Sequence, residues 1–139
     1  MANAIFGKAR EEFAGTAAGT RINLINDNIK MTLVDAADYT VSIDVHDFYD
    51  DVPSAARVAT SGNFASKTTT LGVFDAADVT FTSVTGDISE ALVIWKDTTV
   101  EATSNLIAYI DTATGLPVTP NGGNITVQFD NGANKILKL

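Results

Sequence analysis

"EALVIWKD", Glu90 to Asp97, is the stretch that decides the fold. From Ala91 to Trp95 it is apolar on both faces, so it has no side to turn to water. A strand of that kind belongs in the middle of a sheet. The neighbouring text alternates instead. "IKMTLV" sets Ile29, Met31 and Leu33 against Lys30 and Thr32, and "NLIAYID" sets Leu106, Ala108 and Ile110 against Ile107 and Tyr109. "VTFTSVT", Val79 to Thr85, is rich in Thr and β-branched residues, as strands are.

Turn chemistry separates these runs. "DTATGLPVTPNGGN", Asp111 to Asn124, reads as a long hairpin loop between two strands. "NITVQF" and "NKILKL" are joined by "DNGAN", and Asn-Gly between alternating runs predicts a second hairpin. "VATSGNFASKTTTLG", Val58 to Gly72, reads as weak or edge strands, and "VPSAARVA" as a turn of helix. "DAADYT" and "DAADVT" match at five of six positions; we read them as one turn used twice, its aspartates accepting bonds from turn amides. Before this β text, Ile5, Phe6, Ala9 and Phe13 recur at helical spacing, with Asn3 as cap and Gly15 as terminator.

The expectation is a mainly β chain: one antiparallel β-sandwich of jelly-roll type over 29–139, preceded by a short helix or arm over 1–28, the two forming one structural unit. A chain of 139 residues fits one such domain.

Charge narrows the function. The net charge is −8, and the nine basic residues are scattered, which disfavours nucleic-acid binding. Cysteine is absent, which removes disulfides, thiolate metal sites and cysteine nucleophiles together. No apolar run has the length of a signal peptide core or a membrane span, so we expect a product made in a cytoplasm with no membrane partner.

The richest chemistry lies in "VSIDVHDFYDDVP", Val41 to Pro53, which holds the single histidine and four aspartates within eight positions. Its alternation predicts Ile43 and Val45 on one strand face and Asp44 and His46 on the other. Metal-loop spacing fails: counted from Asp44 or Asp47, no Gly stands sixth and no Glu twelfth. One His without Cys makes a poor zinc set, and no HExxH or GxSxG occurs. "GTAAGT", Gly15 to Thr20, lacks the lysine of a phosphate loop and reads as a turn. We therefore expect no enzyme, no catalytic residue, no metal and no cofactor. Trp95 reads as core. Phe48 and Tyr49 either plug their loop or face a neighbour.

Two long passages carry a resemblance. "GVFDAADVTFTSVTGDISEALVIWKDT" and "NLIAYIDTATGLPVTPNGGNITVQFDNGANKILKL" resemble small virion proteins of tailed bacteriophages, and "NIKMTLVDAADYTVSIDVHDFYDDVPSAARVAT" is similar to the same text. The resemblance covers nearly the whole chain from Ile29, and its motifs specify strands and turns rather than chemistry. It implies a head-associated structural protein on the capsid surface that decorates or cements the lattice, with the major capsid protein as partner. A homotrimer at local three-fold sites is the expected assembly, with dimers left open. The alternative is a receptor- or carbohydrate-binding module of a tail or head fibre. Ile5, Phe6, Phe13, Phe48 and Tyr49 are the expected contact residues.

Overall fold

The apolar run does take the centre of a sheet. In the computed structural model, which describes residues 3–15 and 22–139, strand β7 (Ala91–Asp97) is the middle of five. Its neighbours are β2 (Asn28–Val34) and β8 (Leu106–Ile110), both antiparallel to it. The edges are β3 (Arg57–Thr60) beside β2, and β1 (Ala4–Ile5) beside β8. Ala91 to Trp95 are all buried, because both faces of the strand are covered.

Register sorts the two faces. Ile29, Met31 and Leu33 share one with Leu92 and Ile94, while Lys30, Thr32 and Val34 share the other with Val93 and Trp95. Ile29, Met31, Leu33, Thr32 and Val34 are all fully buried. At roughly 25 cal/mol per Å² of apolar surface, these side chains carry much of the driving force for folding.

Two smaller antiparallel sheets complete the strand set. One holds β10 (Leu137–Lys138), β5 (Val73–Asp75) and β4 (Thr68–Thr70); the other pairs β6 (Val79–Phe81) with β9 (Ile125–Val127). Phe64, Phe74, Phe81 and Leu137 from this part join the same buried cluster as the five-stranded sheet. The Phe64 amide donates to the Ile29 carbonyl at 2.8 Å, which ties the segment before β4 to β2. The fold is thus mainly antiparallel strands with one short helix, α1 (Gly7–Ala14).

Several expectations need correction. Neither predicted C-terminal hairpin forms. β8 and β9 lie in different sheets, as do β9 and β10, so "DTATGLPVTPNGGN" and "DNGAN" connect sheets instead of closing hairpins. Turn residues set where a chain bends, but the partner of each strand is chosen by burial: Val79 and Phe81 offer β9 an apolar face. "VSIDVHDF" is not a strand. Ile43 to Val45 form a turn in which the amides of Val45 and His46 both reach the Ser42 carbonyl, and Val45 is exposed. The two "DAAD" copies also differ. Asp35 Oδ1 accepts the Ala37 amide in a turn that no strand follows, whereas Asp75 ends β5 and accepts the Ala76 amide just before β6.

Asn3 does not cap the helix. Its Oδ1 accepts the amides of Asp111 and Thr112, each at 2.9 Å, and α1 begins four residues later behind Phe6. Gly15 does end it, at φ +98°, with its amide on the Glu11 carbonyl. The described residues before 28 are woven into the sheet by β1 rather than hanging from it. "GTAAGT" falls, after Gly15, outside the described residues. The short helical turn in "VPSAARVA" forms as a single 3-10 turn over Ser54–Ala56, and a second covers Tyr49–Asp51. β3 and β4 are sheet edges, as the weak pattern of Val58 to Gly72 suggested.

Candidate functional site: the acidic loop and its aromatic anchor

The loop from Val41 to Pro53 uses its polar groups to hold itself together. Asp51 Oδ2 accepts the Asp47 amide at 2.9 Å and the Phe48 amide at 3.4 Å. Asp44 Oδ1 meets Arg10 of α1 at 2.9 Å in an exposed ion pair. Gly7 passes so close beneath Asp44 that an added Cβ would lie 2.7 Å from its Oδ1, so only glycine starts the helix here. The loop and the helix fix each other.

His46 is held from its own side of the loop. Its Nδ1 accepts the Ser42 amide at 3.2 Å and lies 2.9 Å from the Tyr39 hydroxyl. An acceptor Nδ1 leaves the proton of the neutral ring on Nε2. The Tyr39 ring stacks on the imidazole with centroids 5.4 Å apart. Burial holds the Tyr39 hydroxyl well above the ordinary phenol range, with the charges of Asp51 and Tyr109 adding to it. Tyr39 therefore stays a donor and not a base. Asp47 is also shifted upward, first by burial and then by the Asp51 charge beside it.

Tyr49 points inward. It is 4% exposed, and its ring stacks on Trp95 with centroids 3.8 Å apart and planes 7° apart. Its hydroxyl lies 2.9 Å from Thr32 Oγ1, which also accepts the Trp95 indole N–H at 3.0 Å. Arg57 lies over the outer face of the Tyr49 ring at 4.0 Å, donates to the Tyr49 and Val52 carbonyls, and grips Glu101 with both terminal nitrogens. The guanidinium holds the Glu101 carboxyl below its ordinary range.

The expected contact residues thus separate. Phe6 and Tyr49 are core side chains, so they are corrected from surface to interior. Ile5, Phe13 and Phe48 are half-buried, and Phe48 forms an antiparallel bridge with Asn105. Burial of Tyr49 was missed because sequence spacing gave no sign of what lay opposite; Trp95 waited in a strand forty-six positions away. All eleven aromatic residues are described, and none is exposed.

No family model matches the chain, and no curated protein matches it.

Among the described residues, no three His, Asp or Glu side chains gather as a metal site would. No described helix is long and apolar enough to cross a membrane. A groove of about 400 Å³ runs beside the five-stranded sheet, where Leu33, Leu92, Leu116, Val118, Ile125 and Val127 line it. No lining residue of that groove is ionisable, so it offers a shape and not a reaction.

Proposed function

We propose that the chain is a noncatalytic structural protein of a tailed-phage virion, a decoration or cement protein bound on the capsid surface. In this reading the sheets layer as a jelly-roll-type antiparallel sandwich. The partner is the major capsid protein, bound by a closed homo-oligomer, with a trimer favoured where lattice sites are three-fold. Binding at junctions stabilises by mass action, because the site exists only in the assembled lattice.

One observation carries it beyond the resemblance of text. The residues best suited to chemistry are engaged in holding backbone: Asp51 on two amides, Asp44 on Arg10, His46 on Ser42 and Tyr39. A general base needs a free lone pair aimed at a substrate, and here the loop uses its own. The fibre-module alternative calls for an aromatic platform at a loop, and no aromatic ring is exposed to supply one.

Labelled antibody raised against the chain tests the placement on intact particles. Label over the head is the expected result. Label confined to tails ends the decoration reading.

A further inference from the structure

Leu71 stands at the tip of the β4–β5 hairpin with 94% of its surface exposed and φ at +51°. A two-residue turn with both central residues at positive φ favours Asn-Gly or Asp-Gly. Gly72, at φ +79°, meets that need: its carbonyl accepts the Leu139 amide at 2.8 Å, and an added Cβ would lie 3.1 Å from the Leu139 carbonyl oxygen. Leu71 does not meet it. A bulky apolar residue in the left-handed region costs roughly 1–2 kcal/mol, and in water it gains nothing back. A strained residue with no local reward points to a contact outside the monomer.

A hole lies beside this knob. Phe13, Ile25, Thr69 and Leu139 join Leu71 in lining a groove of about 450 Å³. Six large hydrophobics are exposed among the described residues, and three of them edge this groove: Ile25, Leu71 and Leu139. No lining residue carries an ionisable side chain, on a chain of net charge −8. The adjacent strand β4 pairs with β5 on one side only, and Thr68 to Thr70 are exposed. From Ala65 to Phe74 the single charge is Lys67, and no proline or acidic residue guards the edge.

The geometry points to a second copy of this chain as the occupant, in a two-fold dimer. A knob and a hole side by side on one patch are self-complementary, so one rotation seats each Leu71 in the other copy's groove. The patch is also where two strongly acidic chains meet with least like-charge repulsion. The β4 edges face each other about the axis with no acidic side chain between them. This contact makes a dimer and not the trimer that three-fold sites favour. It stands apart from the virion role: a monomer on the capsid would overturn the dimer and leave that role intact.

Sedimentation velocity on the full chain over about 1–200 µM tests it. Wild type is expected to shift with concentration from 14.6 kDa to twice that mass. Leu71→Asn suits a positive φ, so it should raise the melting temperature while weakening the dimer by at least about tenfold. Leu71→Gly, which also accepts the turn, should weaken it to the same extent. A wild type that stays monomeric throughout, a trimer, or an L71N and L71G that both associate like wild type would overturn the proposal.

Discussion

The ring of Tyr49 lies flat against the indole of Trp95, 3.8 Å between centroids, and the loop that carries the histidine is anchored there. Tyr49 comes from a 3-10 turn and Trp95 from the central strand, so one contact joins the loop to the core. Truncating a buried aromatic removes both the area and the stack. Tyr49→Ala should lower unfolding free energy by about 3–5 kcal/mol. Tyr49→Phe keeps the stack and loses only the hydroxyl bond to Thr32, at about 1 kcal/mol. Urea unfolding followed by fluorescence of Trp95, the chain's one tryptophan, measures both. Equal losses in the two variants would show that the stack itself contributes little.

Lys30 and Asp97 give a pH signature. They pair at 2.6 Å with both side chains mostly buried, and the bond to Lys30 holds the Asp97 carboxyl below its ordinary range. A carboxyl with a depressed folded pKa stabilises above its unfolded value and loses that contribution as pH falls through the folded one. The Asp97 contribution is therefore intact at neutral pH and fades below about pH 4. Lys30→Met should raise the Asp97 titration midpoint in a carboxyl NMR titration. An unchanged midpoint would remove Lys30 as the cause.

Asp47 has the opposite sign. Burial and the neighbouring Asp51 raise its carboxyl, so its ionised form works against folding at neutral pH. Asp47→Asn removes that charge and offers a donor to Asp51. It should stabilise at pH 7 by up to about 0.5 kcal/mol, and the gain should shrink below about pH 4, where the native carboxyl protonates. A thermal melt at both pH values measures it. A gain that persists undiminished at the lower pH would assign it to the amide and not to lost repulsion.

How much of this was legible in the sequence depends on the distance over which a signal acts. Ala91 to Trp95 declared a central strand because burial on both faces is written in the strand itself. The alternation of β2 was readable for the same reason. Strand partners were not: "DNGAN" specifies a turn, and nothing within it says that β10 will leave β9 for β5. The loop misled in its own way. Ile43 and Val45 alternate with polar residues by accident of composition, while their backbone turns on Ser42. The role of Asn3 as a clasp on Asp111 and Thr112 spans 108 and 109 positions, beyond any local pattern.

Thr99 is a second strained position, a β-branched residue at φ +71° in the turn after β7, with its amide on Asp97 Oδ1 at 2.8 Å. Asn tolerates that backbone and keeps the amide bond. Thr99→Asn should stabilise by about 0.5–1 kcal/mol, read as a shift of the urea midpoint with an unchanged slope. A lower midpoint would mean that the threonine side chain contributes something the backbone strain conceals.

The central claim is that this chain coats a capsid lattice. Gel densitometry of purified particles, scaled to the major capsid protein, tests it most directly. A cement occupying repeated lattice sites should appear at a ratio of about one copy per major capsid subunit. A handful of copies per particle, or none, would contradict it.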